Sequence, residues 1–419
     1  MSPRSILLVS YFFPPTRDTG AQRPAAMAKY LARLGHRVSV LTTNAFGDED
    51  PGIPEVEVLR ANDLQRIRAR MAGHERIDSL FDSDTYGGKP HPLSYAIWPE
   101  PLRLAWEPFA RRLAIGAHRE RNFDAVITTS PPESAHLLGR ALQRRGVPWV
   151  ADVRDAWSFE PLRPRFPTSL QHRLDLRMER RLLGAADAVV CVSEPAAEDL
   201  RRRWVADPEV IYNAWDPDSE PTSEAVAEAA ELLDPDRTSL VYTGRFGSYG
   251  RDPRALCEAM GGLADSDPEA AGELELAIAG PLRADERELL ESVPAPAKVS
   301  LLGSLQRDRS LALQRAADAL VLLAQPTRSQ LVNFKLFEYL AAGRPIVGLC
   351  AGTEAGRILA ETAAAEVVRA DHVPEIAALL GEVAAGELGT AAGGADPRFA
   401  YPAAAEAMAA VVDRVIAGG

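Results

Sequence analysis

Cysteine is scarce in this 419-residue sequence, and the three present, Cys191, Cys257 and Cys350, are far apart and odd in number. They form no CxxC pair, which argues against a disulfide framework or a cysteine zinc site and for a reducing, cytoplasmic setting. The seven histidines are scattered and no HExxH occurs, so no metal site is expected. No GxGxxG follows a strand, which weakens a dehydrogenase reading. No Ser–His–Asp order and no internal repeat of roughly 20–50 residues is visible. No apolar run is long enough to span a bilayer. The opening "MSPRSILLVSYFFPP" lacks the small-residue cleavage site of a signal peptide and reads as a first strand. A net charge of -12 speaks against a nucleic-acid partner.

What is present is the composition of a soluble globular protein, 46% hydrophobic and 25% charged, long enough for two domains of about 200 residues. The charge divides unevenly. Residues 1–215 carry 30 Lys+Arg against 27 Asp+Glu, and the remainder carries 17 against 32. Short apolar runs alternate with helical spacing. "SILLVSY" (5–11), "AAMAKYLARLG" (25–35) and "RVSVLTT" (37–43) form a β-α-β unit, which implies a parallel sheet. "DAVITTS" (124–130), "PWVADV" (148–153), "ADAVVCVS" (186–193) and "EVIYN" (209–213) extend it. A Pro-, Asp- and Ser-rich stretch at 215–237 reads as an interdomain linker with a short helix. A second series follows at 239–244, 274–280, 298–303, 317–324, 344–350 and 364–368. The expectation is α/β, with two Rossmann-like doubly wound domains, 1–215 and 216–399, facing across a cleft. The terminal helix at 400–419 could pack back onto the first. The segment 62–121 reads as a helical excursion that could wall an acceptor, and 385–398 as a flexible loop.

Four stretches could carry chemistry. In "NFKLFEYLAAGRPIV" (333–347) a helix opens after a strand and a loop, and Lys335 and Glu338 stand three apart at its start. First-turn amides favour an anion, so a phosphate would suit Lys335, where the helix dipole does not. Glu338 could accept from a ribose diol. The same spacing also suits a surface Lys–Glu pair. In "YTGRFGSYGRDP" (242–253), Gly244 ends a strand and Arg245 and Arg251 could grip a diphosphate bidentately. In "YFFPPTRDTGAQR" (11–23), the Gly20 amide could approach a phosphate, with Arg17 and Arg23 adding charge. This loop could equally be a structural turn. "VADVRDAW" (150–157) sets Asp152, Arg154 and Asp155 after a strand, where they could orient hydroxyls or form an internal Asp–Arg bridge. His136, in "SPPESAH", could be a base or a packed helix residue.

Taken together these stretches resemble the family 4 retaining glycosyltransferases, over nearly the whole chain. "KLFEYLAAGRPI" is the most specific, and "VADVRDAW", "VSEPAAEDL", "IYNAWDPD" and "YTGRFGSYGRDP" agree. The resemblance implies the GT-B fold, a nucleotide-sugar donor, usually UDP-linked, in the C-terminal domain, and transfer with retention to an acceptor hydroxyl. It implies no cofactor and no metal. Arg245, Arg251 and Lys335 look like the catalytic grip on the leaving diphosphate, with His136 and Asp155 as further catalytic candidates. Gly20, Gly244, Gln330, Asn333 and Glu338 complete the donor-binding set, and Arg23, Asp152 and Arg154 the acceptor-binding set. Two departures stand out: Gln330 replaces the first of the family's two glutamates, and Ala214 stands where relatives have glycine. The acceptor could be a small molecule or lipid-linked, with peripheral membrane contact. A nucleotide-sugar 2-epimerase on the same fold, or a weakly active nucleotide-sugar-binding partner subunit, is the alternative.

Overall fold

A computed structural model describes residues 2–49, 52–71, 102–159, 166, 168–205, 207–247, 251–324, 332, 334–362, 365–388 and 395–418. The chain divides into two compact units, residues 1–212 with 401–419, and residues 213–400. The first unit runs β1 (Ser5–Ser10), α1 (Gln22–Arg33), β2 (Arg37–Thr43), β3 (Glu57–Ala61), α2 (Leu64–Met71), α3 (Leu102–Ala105), α4 (Glu107–Arg121), β4 (Ala125–Ser130), α5 (Ala135–Gln143), β5 (Trp149–Val153), α6 (Ser169–Leu183), β6 (Ala188–Cys191), α7 (Glu194–Arg203) and β7 (Glu209–Val210). The second runs α8 (Ser223–Ala230), β8 (Thr238–Thr243), α9 (Arg254–Ser266), α10 (Pro268–Gly272), β9 (Leu274–Ala279), α11 (Ala284–Glu291), β10 (Lys298–Gly303), α12 (Arg307–Ala316), β11 (Ala319–Leu323), α13 (Phe334–Ala342), β12 (Ile346–Leu349), α14 (Glu354–Thr362), β13 (Ala365–Val368) and α15 (Val373–Ala384). α16 (Tyr401–Ala417) returns to the first unit, where it packs on α1.

Both sheets are parallel. Their orders are β3-β2-β1-β4-β5-β6-β7 and β10-β9-β8-β11-β12-β13. Strands β1, β4, β5, β9 and β11 are buried along their whole length, as continuous apolar runs must be when helices cover both faces. In each sheet the strand order reverses once, between β1 and β4 and between β8 and β11. At such a switch point the loops beyond the strand ends diverge and leave room for a ligand. The loops named above, around Gly20 and Gly244, follow β1 and β8.

Two sequence readings change. β3 was not anticipated; it is a short edge strand with only Ala61 fully buried, so its apolar signal is weak. The stretch 215–237 is not a free linker. It lies in the second unit, α8 packs along α12, and Glu220 pairs with Arg315 at 3.1 Å. Within the loop 385–398, residues 389–394 lie outside the described residues. No helix among the described residues is long and apolar enough to cross a membrane.

Candidate active site

The second unit collects positive charge where its strand order reverses. β8 ends at Thr243, and Gly244 turns with φ +101°, a left-handed conformation open chiefly to glycine. Its N–H donates to Ala279 O at 2.6 Å. Its carbonyl lies so near Gly280 that a Cβ there would stand 2.2 Å away. A Cβ on Gly244 itself would meet Lys335 Cε and Nζ at 2.7 Å. The conformation calls for glycine, and the end of the lysine laid against it would have to shift to admit a Cβ.

Lys335 reaches this place from the first turn of α13. That helix is anchored to β8 by Tyr339, whose hydroxyl accepts from Thr243 N–H at 3.0 Å. Leu336, Phe337, Leu340 and Ala341 bury its apolar side. The Lys335 Nζ sits 4.0 Å from the Tyr242 ring centroid and has no hydrogen-bond partner among the described residues. Burial holds its pKa well below the ordinary lysine value. Nearby Arg251 pushes in the same direction, and Glu338 only partly opposes them. A cation–π contact compensates a desolvated ammonium only in part. Burial thus disfavours the charged form of Lys335, and an anion beside it would restore that form.

The loop after Gly244 is tied down by its carbonyl groups. Arg245 O accepts from Tyr242 Oη at 2.7 Å and from Arg251 Nη1 at 3.1 Å, and Phe246 stacks on Tyr242 at 4.2 Å. Arg245 itself is exposed, with its neighbour Phe246 wholly buried. Glu338 pairs with Arg307, the first residue of α12, at 2.5 Å. Both line a small pocket with Trp215 and Gln314. Trp215 Nε1 and Gln314 Oε1 are buried there without a hydrogen-bond partner among the described residues, one a donor and one an acceptor. Gly244, Arg245, Arg251, Lys335 and Glu338 are therefore all carried by β8, α13 and their loops. Gln330 and Asn333 lie outside the described residues.

The first unit corrects several readings. Arg23 and Asp152 are closed to solvent and bind each other through two hydrogen bonds, at 3.1 and 2.8 Å. Arg23 Nη1 also donates to Tyr212 O at 2.9 Å, and Thr129 Oγ1 donates to Asp152 at 2.9 Å. The acceptor-binding reading of this pair gives way to the internal bridge, because every strong donor in it is spent. Arg154 likewise donates to Ser130 O at 2.8 Å, to Pro131 O at 3.3 Å and to Gly20 O. It braces the loops after β1, β4 and β5 rather than offering itself to an acceptor. The Gly20 amide donates to Asp18 Oδ1 at 2.7 Å, so it is not free for phosphate. His136 is fully buried, stacks on Trp157 with centroids 6.0 Å apart, and pairs through Nδ1 with Thr128 Oγ1 at 2.8 Å. Burial lowers its pKa to about 4. It packs α5 against the sheet and is closed to solvent, so the packed-residue reading takes the place of the base reading. Asp155, by contrast, is exposed just beyond β5.

Tyr242, Tyr339, Arg307 and Glu286 of α11 were not singled out from the sequence. Tyr242 lies inside an apolar strand and Tyr339 inside a helix stripe, so each reads as core. Only their contacts with Lys335 and Thr243 give them a role.

Comparison with known proteins bears on the family and the fold. Residues 19–214 match the family model of the glycosyl transferase 4-like domain, and residues 237–385 match that of the glycosyl transferases group 1. The fold resembles that of a sucrose-phosphate synthase from Thermosynechococcus elongatus, with 18% identity and a TM-score of 0.61 over 99% of this chain and 100% of that one. The N-terminal domain of a Candida albicans trehalose-6-phosphate phosphatase gives 13% identity and a TM-score of 0.59 over 99% and 97%. A Neisseria meningitidis UDP-GlcNAc 2-epimerase gives 10% and 0.49 over 98% and 100%, too loose a likeness to bear on activity. At these identities the likeness is one of fold. None of the curated proteins compared with the sequence matches it.

Proposed function

We propose, for a chain that belongs to the glycosyltransferases built from a 4-like and a group 1 domain and has their GT-B fold, that it moves a sugar from a nucleoside diphosphate, UDP by family habit, to an acceptor hydroxyl with retention, and needs no metal or cofactor of its own. One observation carries this reading: the amine of Lys335, on the first turn of α13 and without a hydrogen-bond partner among the described residues, lies against Gly244, next in the chain to Arg245. A diphosphate supplies the counter-charge this arrangement lacks. Glu338, at the edge of the small pocket, would take the ribose diol.

In the reaction the bond from the anomeric carbon to the diphosphate oxygen breaks and the acceptor oxygen bonds the same carbon on the same face. The acceptor proton passes to the leaving phosphate. No protein nucleophile is required. The protein contributes by stabilising charge that grows on the diphosphate. Losing one such donor costs about 2.7–4 kcal/mol of barrier, by analogy with an oxyanion-hole donor. Exposed Asp155, just beyond β5, would be a first-unit residue to meet the acceptor hydroxyl.

A thermal-shift panel of nucleotide sugars tests this. A ligand at about 100 times its Kd stabilises the native state by about 2.7 kcal/mol, so the cognate donor should raise the melting point. Arg245→Ala should lose that shift for diphosphates. A wild-type protein unmoved by every nucleoside diphosphate would sink the reading. Turnover without acceptor should release no epimer.

The acceptor is better read as lipid-linked than as free, on account of α6. Leu170 and Leu174, one turn apart, are 59% and 39% exposed beside exposed Arg173 and Arg177. An apolar pair ringed by arginines suits an anionic membrane surface. The chain would then work at the cytoplasmic face. Sedimentation with anionic vesicles should carry down protein in low salt and release it in high salt. Absence of a vesicle-bound fraction in low salt removes this part of the reading.

A further inference from the structure

We propose that Glu286 is a positioning residue for the donor grip: its carboxylate clamps the Gly244–Gly247 turn onto α11 and so presets Arg245 for the diphosphate. The inference rests on the donor reading above. Glu286 is only 5% exposed. One of its oxygens accepts from the Gly247 N–H at 2.8 Å, and the other accepts from the Arg283 N–H at 2.9 Å. A single carboxylate therefore joins the loop after β8 to the loop after β9. The loops already touch at Gly244 and Gly280. At Gly247 a Cβ would lie 2.6 Å from Glu286 Oε1 and 2.5 Å from Arg283 Nη1, so the approach depends on glycine.

A buried acid near a site meant for an anion works against binding through space. Its presence needs another reason. One is the helix itself, since a carboxylate in the first turn of α11 suits the dipole and its orphan amides. That explains the bond to Arg283 N–H. It does not explain the bond to Gly247, which lies 39 residues earlier in the chain and outside α11. Charged hydrogen bonds are the strong ones, and this one fixes the amide two residues after Arg245. With the Gly244 N–H held by Ala279 O before it, and Arg245 O and the Gly247 N–H held after it, the backbone on both sides of the Arg245 side chain is pinned. The entropy of ordering the loop is then met during folding and not at donor binding.

Two variants separate the clamp from the cap. Glu286→Gln has one oxygen for two N–H groups, and its amide would face the other donor to donor. Glu286→Asp keeps the charge at the helix end but is one methylene too short to span to Gly247. Titration calorimetry of the full chain with a nucleoside diphosphate and with the bare nucleoside, beside amide exchange at 244–247, reads the difference. The clamp predicts about tenfold weaker diphosphate binding in both variants, 1.4 kcal/mol. It also predicts unchanged nucleoside binding and faster exchange at Gly247. Equal weakening of both ligands, or a lowered melting point with diphosphate affinity intact, would show a helix cap and overturn the clamp. Wild-type protein that binds nucleoside and diphosphate alike would overturn the donor grip itself, and the clamp with it.

Discussion

Lys335→Met is expected to stabilise the ligand-free protein and at the same time to remove donor turnover. The two effects have one cause. In the free protein the amine is desolvated and close to Arg251, and Glu338 and an aromatic face offset this only in part. Methionine has nearly the same reach and no charge to desolvate. Replacing buried charges by apolar groups of similar volume stabilises by roughly 1–4 kcal/mol. Activity should fall by about 10²–10³, the cost of one missing electrostatic donor in the transition state. The pH dependence has a defined sign. A lysine depressed by burial costs stability fully below its folded pKa, and the cost vanishes above its unfolded value of about 10.4. The gain in Lys335→Met should therefore shrink as pH rises through that window. Donor affinity of the wild type should weaken over the same range, because the neutral amine no longer attracts phosphate. Denaturant midpoints of both proteins across pH, with single-turnover rates, check this. A methionine variant that is less stable and equally active would show that Lys335 is a core residue.

Asp152→Asn should destabilise the first domain by about 3–5 kcal/mol, because it strands a buried guanidinium. Burial alone would push the Asp152 carboxyl up, but Arg23, then Arg154 and the Thr129 hydroxyl, hold it below the ordinary range. A depressed carboxyl contributes stability above its unfolded pKa of about 3.9 and loses it as pH falls through the folded value. The difference between wild type and Asp152→Asn should thus be full at neutral pH and close under acid. Arg23→Met with Asp152→Leu should recover much of the loss. The shortfall is about 1 kcal/mol for each bond left open at Thr129 and Tyr212. Unfolding followed by a probe in each domain would locate the change. An Asp152→Asn protein as stable as wild type at pH 7 would contradict the bridge.

These two residues show how far a sequence can be read. Lys335 announces itself because a cation in a helix's first turn opposes the dipole and asks for an anion. Arg23 and Asp152 announce themselves equally, by position after strands, yet the fold spends them on each other. Nothing in "AQRP" or "VADVRD" says which. The difference is 129 residues of intervening chain. His136 fails for the same reason. Its place after β4 suits a base, and only the packing of Trp149 and Trp157 around it closes it off.

The order of strands and helices, and the two-domain α/β fold with its family, were set by local periodicity and by short motifs, since both act over a few residues. Which charges stay open to a ligand was decided by tertiary structure alone. Desolvation and pairing depend on what the rest of the chain brings within a few ångströms, and that brought Tyr242, Gly244 and Arg251 to Lys335 while it sealed Arg23 with Asp152.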